Sequence, residues 1–276
     1  MLFKKILSYL TFILLIPLWI LLYFFVFTSY LNNKPPVPEV ASFKSVETRP
    51  QTKKIPVLMF HYVEINQDKR DFKRDSLNIN PYIFEKQIIT FKNAGYEFIW
   101  ASEIPAAIAD KSDKKYVVFT FDDGYESFYS QTYSIIKKHK IKVTNYLIAD
   151  FLGKTNYMSK AQVDKIFADG YLEIGSHTLN HSGLTLVSIN EADRQITESK
   201  KKLESLFNTK VSSFCYPYGF YNLDVAKLVS NAGYTNATTT ELGSVVSDDR
   251  LFQITRIRPG VMTDEKLLNY IDSINY

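Results

Sequence analysis

The chain has 276 residues, of which 46% are hydrophobic and 22% charged, so the composition excludes a disordered or fibrous protein. Its 33 basic and 29 acidic residues nearly balance, and no long basic run occurs, so no nucleic-acid partner is expected. The single cysteine, Cys215, excludes an internal disulfide.

The N-terminal 31 residues are predicted to form a cytoplasmic stub and a membrane anchor. Lys4 and Lys5 precede the stretch 6–27, which has no charged residue and is almost wholly apolar. About 20 such residues in a helix cross a hydrocarbon core of roughly 30 Å. Because the lysines lie on the N-terminal side, the rest of the chain is expected outside the cytoplasm. We therefore expect a single-pass protein of the cell membrane with its folded domain outside the cell.

A cleaved signal peptide is the alternative for this segment, and it would make the protein secreted. Small residues normally precede a cleavage site, whereas this stretch ends in bulky aromatic residues such as Phe25 and Phe27. The uncleaved anchor is therefore favoured. Residues 32–54 carry four prolines among polar residues, which predicts an extended spacer between the membrane and a catalytic domain at 55–276.

From residue 55 onward, short apolar runs with strand character alternate with helical patterns. The predicted strands are 55–60, 96–100, 116–121, 143–149, 171–175, 211–215 and 234–240. The predicted helices are 81 to about 95, 126–138, 159–169, 190–207 and 223–231. Such alternation predicts a mostly parallel sheet with helices outside it, either a closed barrel or an open wound sheet.

Three polar clusters directly follow predicted strands. His61 follows the first, Asp122 and Asp123 follow the third, and His177 and His181 follow 171–175. In a parallel barrel such residues meet at the C-terminal ends of the strands. Two imidazoles and a carboxylate form a three-ligand metal site with positions left for water and substrate. Each cluster alone is weak, but together they favour a metal site.

The motifs TFDDG (120–124), SHTLNH (176–181) and FCYPYG (214–219) resemble, in this order, those of the polysaccharide deacetylases with a NodB-type domain, carbohydrate esterase family 4. The opening IPVLMFHYV (55–63) resembles the circularly permuted branch. That branch contains deacetylases of poly-β-1,6-N-acetylglucosamine and of cell-wall polysaccharides. The resemblance implies an α/β fold, a distorted (β/α)7 barrel of the NodB type, here preceded by one N-terminal transmembrane helix.

The resemblance also assigns roles to individual residues. Asp123, His177 and His181 would hold one divalent ion, with zinc expected and cobalt, nickel, iron or manganese as alternatives. Asp122 would be the general base that takes a proton from the attacking water. The backbone N–H of Tyr218 would be the oxyanion donor.

The general acid needs a separate assignment, because no histidine follows His181 and the family's usual Leu-x-His motif near the C-terminus is therefore absent. His139 lies at the end of a predicted outer helix, where a surface histidine is ordinary. His61 follows a buried strand at the rim, as in the permuted branch. His61 is therefore the expected general acid.

Cys215 stands where the family usually has the arginine that orients the base. It is expected to be a small buried packing residue rather than a nucleophile. Arg256 resembles an arginine at the last strand of permuted members and is the candidate replacement, with Arg258 as its competitor and a surface role open for both.

Four tyrosines beside the motifs are candidates for stacking against sugar rings, with packing as the alternative for each. They are Tyr62, Tyr125, Tyr216 and Tyr218.

The expected function is metal-dependent removal of acetyl from N-acetylglucosamine units of an extracellular or cell-wall polysaccharide. The expected partners are this N-acetylated polysaccharide and the membrane, while the sequence does not define the oligomeric state. An O-acetyl glycan esterase and a non-catalytic glycan-binding protein are the alternatives. The loops 66–80 and 241–250 are expected to shape the substrate groove.

Overall fold

A computed structural model of the chain describes residues 49–66 and 70–274. The predicted membrane anchor and most of the predicted spacer lie outside these ranges. Among the helices that the structure describes, none combines the length and the apolar character needed to span a bilayer.

The described chain is an α/β fold in which short strands and helices alternate. The strands are β1 (Thr52–Lys54), β2 (Val57–Phe60), β3 (Tyr62–Val63), β4 (Asn78–Ile79), β5 (Tyr96–Ile99), β6 (Lys115–Asp123), β7 (Val143–Leu147), β8 (Leu172–Ser176), β9 (Ser213–Cys215), β10 (Asn236–Thr238) and β11 (Val245–Ser247). The helices are α1 (Phe72–Ser76), α2 (Pro81–Asn93), α3 (Ile104–Ala109), α4 (Tyr133–His139), α5 (Lys160–Phe167), α6 (Ile189–Phe207), α7 (Leu223–Asn231) and α8 (Asp264–Ser273).

Seven parallel strands form one curled sheet, which confirms the predicted α/β class and parallel sheet. The order is β10, β9, β8, β7, β6 and β2, and β5 also pairs with β6. The long β6 accommodates both because β5 pairs with its first half, up to Val118, and β2 pairs with its second half, from Val118 to Phe121.

The segment Ile254–Ile257 lies between the two end strands of this sheet and bonds to both. The Ile254 N–H donates to the Ala237 carbonyl of β10 at 2.9 Å, and the Ile257 N–H donates to the Val57 carbonyl of β2 at 2.8 Å. Each contact is an isolated parallel bridge rather than a continuous ladder. The sheet therefore curls as a half-barrel whose open side is spanned by one extended segment.

Alternation along β6 sorts its side chains between two apolar layers. Phe119 and Phe121 pack outside the sheet against α2, where Phe84 contacts both rings. Val118 belongs to the second cluster, on the other face of the sheet. Asp122 lies an even number of residues after Val118 on β6, so its side chain points to the same face of the sheet, toward the interior.

Several elements differ from the sequence prediction. Thr52–Lys54, in the stretch predicted as spacer, pairs antiparallel with β11, so the folded part begins before residue 55. The helix predicted at 126–138 is divided into a π-helical turn at Phe128–Thr132 and the short α4. β6 extends through Asp123, so the two carboxylates end the strand instead of following it. The short, polar β1 gave no apolar pattern from which it could be recognised.

Candidate active site

An open cavity of about 380 Å³ lies at the C-terminal ends of the parallel strands, where the three polar clusters meet. Its lining includes His61, Asp122, Asp123, His177 and His181. A larger cavity of about 610 Å³ lies beside β1 and β11 and contains none of these residues. The loop 241–250, predicted to shape the substrate groove, lines that second cavity instead.

Asp122 is buried and receives two parallel hydrogen bonds from Arg256. The distances are 2.7 Å from Nη1 to Oδ1 and 2.8 Å from Nη2 to Oδ2. Burial raises the pKa of Asp122, but the charge and hydrogen bonds of Arg256 outweigh this and hold it well below its usual range. Asp122 is therefore ionised, and the bidentate contact fixes its orientation.

Arg256 itself is fully buried, so a surface role for it is wrong. The bridging segment Ile254–Ile257 delivers its side chain to the interior. The guanidinium also donates to the Thr239 carbonyl through Nε at 2.7 Å and to Thr120 Oγ1 through Nη1 at 3.1 Å. The arginine is thereby held on three sides, which gives it the geometry of a residue that positions Asp122.

Cys215 is fully buried between Arg256 and Asp122. Arg256 Nη2 donates to its sulfur at 3.1 Å, and the sulfur lies 3.7 Å from Asp122 Oδ2. Burial raises the pKa of the thiol, although the charge of Arg256 opposes the effect. Cys215 is therefore a protonated, inert thiol, and its small side chain leaves room for Arg256.

Asp123 faces two imidazoles and has the features of a metal ligand. Its Oδ1 lies 3.5 Å from His177 Nε2 and 3.2 Å from His181 Nε2. Neither contact has hydrogen-bond geometry, so this buried oxygen has no hydrogen-bond donor within the described part of the chain. One ligand atom from each of the three residues lies within 4.8 Å of the others. An unpartnered buried oxygen beside two ring nitrogens fits a bound cation.

The two imidazoles are oriented by hydrogen bonds on their other nitrogens. His177 Nδ1 lies 2.8 Å from the Cys215 carbonyl oxygen, which requires the proton on Nδ1 and leaves Nε2 free to bind a metal. His181 Nδ1 lies 3.0 Å from the Tyr218 hydroxyl. Thr178 and His181 have φ angles of 68° and 66°, so a turn with left-handed residues, and not a helix, brings the two rings together.

A second set of possible ligands, Asp122, His177 and Cys215, also lies within 4.8 Å. This set fits a cation poorly. Arg256 already occupies both oxygens of Asp122, and burial keeps Cys215 a thiol.

His61 directly follows β2 and reaches the same cavity. Its Nε2 lies 3.8 Å from Asp122 Oδ2, and 14% of its side chain is exposed. Burial lowers the pKa of His61, and the charges of Asp122 and Asp123 only partly oppose this. His139 lies elsewhere, on α4, with Nε2 2.7 Å from Glu85 Oε1. The structure therefore brings His61 to the carboxylates and keeps His139 apart from them.

The proposed sugar-stacking tyrosines are only partly available. Tyr216 is fully buried and donates its hydroxyl to the Phe252 carbonyl at 3.0 Å. Tyr62 is also buried and stacks on Tyr125 with ring centroids 4.0 Å apart. Packing therefore removes Tyr62 and Tyr216 as stacking platforms. Tyr125 lines the cavity, and the Tyr218 side chain is 54% exposed there.

Tyr218 has a left-handed backbone, with φ 60°. Its place in the cavity lining agrees with the expected position of an oxyanion donor, and that role stays a prediction.

Residues beyond the assigned catalytic and metal-binding groups also line the cavity, among them Phe151, Tyr157, Lys73 and Arg258. Phe151 and Tyr157 belong to the loop after β7, Lys73 lies on α1, and Arg258 directly follows the bridging segment. The rule that loops after parallel strands build the site would have indicated the first two. Lys73 belongs to the stretch 66–80 that was predicted to shape the substrate groove, although the sequence did not single out this residue.

The comparisons with known proteins agree with this geometry. Residues 109–237 match the family model for polysaccharide deacetylase. YxkH of Bacillus subtilis (strain 168), named as a polysaccharide deacetylase, is 28% identical over 225 residues, which cover 80% of this chain and 77% of YxkH.

The poly-β-1,6-N-acetyl-D-glucosamine N-deacetylase of Staphylococcus aureus (strain MRSA252) is 28% identical over 188 residues. These cover 63% of this chain and 65% of that enzyme, so the similarity spans just under two thirds of its length. The structure of the Streptococcus pyogenes deacetylase PplD in complex with acetate superimposes with a TM-score of 0.72 and 26% identity. That superposition covers 81% of this chain and 99% of PplD.

Proposed function

Because this chain belongs to the polysaccharide deacetylase family and is a hydrolase, we propose that it removes acetyl groups from N-acetylglucosamine residues of an extracellular or cell-wall polysaccharide, releasing acetate. One observation carries the proposal. Three atoms converge beside the ionised Asp122: the Nε2 atoms of His177 and His181, and Oδ1 of Asp123, which has no hydrogen-bond partner among the described residues.

Asp123, His177 and His181 would hold one divalent ion. Two imidazoles and one carboxylate suit zinc, which we propose, and also cobalt, nickel, iron or manganese. When bound, the ion supplies a Lewis acid for the acetyl carbonyl.

Asp122 accepts the proton of the attacking water, and Arg256 keeps it ionised and correctly oriented. Its low pKa makes the protonated form short-lived. His61 Nε2, 3.8 Å away, is neutral at pH 7 because burial lowers its pKa, so it can receive this proton. His61 then delivers the proton to the departing amine, and the Tyr218 N–H stabilises the oxygen on which charge develops.

We further propose that the enzyme is anchored in the cell membrane with this domain outside. Lys4 and Lys5 before the apolar stretch 6–27 support the anchor and its orientation. An anchored deacetylase meets polymers of its own cell surface, which is why a resident envelope polysaccharide is the proposed substrate.

Acetate release by the purified full-length protein, supplied with zinc, tests the proposal on matched N-acetylated and O-acetylated oligosaccharides. We expect acetate and an equal amount of free amine from the N-acetylated substrate. Release from the O-acetylated substrate alone would assign an esterase, and release from neither would reject an enzymatic role. Asp122→Asn should abolish turnover, whereas Asp113→Asn, on the exposed surface, should not.

A further inference from the structure

Two cationic side chains, Lys73 and Arg258, line the catalytic cavity. Lys73 lies on α1, Arg258 follows the bridging segment, and both are exposed. Within the ranges that the structure describes, neither forms an ion pair or a side-chain hydrogen bond. Arg74, the residue after Lys73, differs because it donates two hydrogen bonds of 2.6 and 2.7 Å to the buried Glu64 carboxylate. The fold thus neutralises one cation on α1 and leaves the adjacent one open to the cavity.

Arg258 and the end of α1 share two cavities with His61. Leu77, which follows α1, and Arg258 both line the catalytic cavity and an adjoining cavity of about 70 Å³, and His61 borders both. His61, Asp122 and Asp123 line the same cavity as the two cations. The cations therefore lie where parts of the substrate next to the reacting acetamide would be bound.

The acidic residues of the cavity do not balance these charges. Of the lining residues described, only Asp122 and Asp123 are acidic. Arg256 neutralises Asp122, which leaves only the single charge of Asp123 against the two cations. A single unpaired surface lysine is ordinary, but two cations in one cleft produce a positive potential that concentrates anions.

A neutral polymer would leave both cations without a partner. We propose, on the basis of the deacetylase function above, that the substrate is an anionic glycan and that Lys73 and Arg258 bind its negative group. This group is a phosphodiester or a carboxylate on the N-acetylated sugar or on its neighbour. Both present oxygens that an ammonium and a guanidinium bind well.

Three oligosaccharides that share the same acetamide test the proposal: a neutral N-acetylglucosamine oligomer, one with a phosphodiester and one with a carboxylate on the adjoining unit. The full-length, zinc-loaded protein should show a kcat/KM at least about 10-fold higher on one anionic substrate than on the neutral one. Raising the salt from about 0.05 to 0.5 M should reduce this preference, because salt screens exposed charges. The anionic substrate that is preferred identifies the source of the charge.

Substitutions of Lys73 and Arg258 test whether these two residues cause the preference for the anionic substrate. Lys73→Gln and Arg258→Gln should each lower the ratio of anionic to neutral kcat/KM by roughly 3- to 10-fold, mainly through KM, as expected for exposed charged hydrogen bonds. Arg258→Lys should retain most of the ratio. Lys227→Gln, on the exposed surface of α7, is the matched control and should change nothing.

Equal kcat/KM on neutral and anionic substrates, or a ratio that neither glutamine variant changes, would overturn the proposal. Calorimetric binding of the same three oligosaccharides gives the comparison without turnover. Absence of acetate release therefore counts against the deacetylase function alone, while equal binding of all three counts against the anionic substrate.

Discussion

Replacing Arg256 with methionine keeps most of the side-chain volume but leaves the buried Asp122 carboxylate without its cation. The two hydrogen bonds of 2.7 and 2.8 Å both disappear, and the carboxylate, which is only 3% exposed, gains little solvation in their place. Removing one partner of a buried pair typically costs about 3–5 kcal/mol. This is a large part of the roughly 5–15 kcal/mol that stabilises a domain.

The double variant Arg256→Met, Asp122→Leu removes both charges and should recover most of the lost stability, since apolar residues often replace a buried pair without cost. Urea unfolding of the full-length protein measures each free energy. Arg250→Met, at an exposed arginine, should remain within about 0.5 kcal/mol of the parent. A loss below about 1 kcal/mol for Arg256→Met, or additive losses in the double variant, would refute the reasoning. Acetate release should stay abolished in the double variant, because the base is absent.

Four further predictions concern the metal, the acid, the thiol and the pH dependence of stability. Asp123→Asn should reduce the bound zinc from one per chain to near zero in atomic absorption after dialysis, and unchanged zinc would exclude this residue as a ligand. His61→Gln should lower kcat by about 10²- to 10⁴-fold, whereas His139→Gln, on the outer α4, should not; equal effects would contradict the assignment of the acid. Cys215 should resist iodoacetamide at pH 8 in the folded protein and react fully in urea, since burial raises its pKa; rapid labelling of the folded chain, detected by mass spectrometry, would show the opposite. The pKa of Asp122 is lower in the folded protein than in the unfolded chain. The contribution of this carboxylate to stability should therefore be complete above about pH 4 and be lost as the pH falls through its folded-state pKa. The difference in unfolding free energy between the parent and Asp122→Asn should accordingly shrink on acidification.

The parallel sheet and its polar edge could be predicted because each depends on a local pattern. β6 has a continuous apolar run typical of a strand buried on both faces, and Asp122 and Asp123 end that run. Likewise Asn80 and Pro81 mark the start of α2 through a cap and a fixed φ, and the helix begins there.

What escaped prediction depends on contacts between distant parts of the chain. The choice between Arg256 and Arg258 rests on which side chain the bridging segment turns inward, and strand alternation cannot determine this for an isolated bridge. Tyr216 and Tyr62 are as aromatic as Tyr218, and only tertiary packing decides which ring remains exposed. β1 forms because β11 provides a partner almost 200 residues later, which no local pattern reveals.

The bridging segment Ile254–Ile257 also has a consequence for biosynthesis. Every candidate ligand and proton-transfer group is translated before residue 220, but the guanidinium that restrains Asp122 arrives only with Arg256. A chain that lacks this segment would therefore contain all the sequence motifs, but the Asp122 carboxylate would have no guanidinium partner and the open side of the half-barrel would not be spanned. Competence for hydrolysis therefore arises only after the segment that carries Arg256 has been synthesised and has bonded to both β10 and β2.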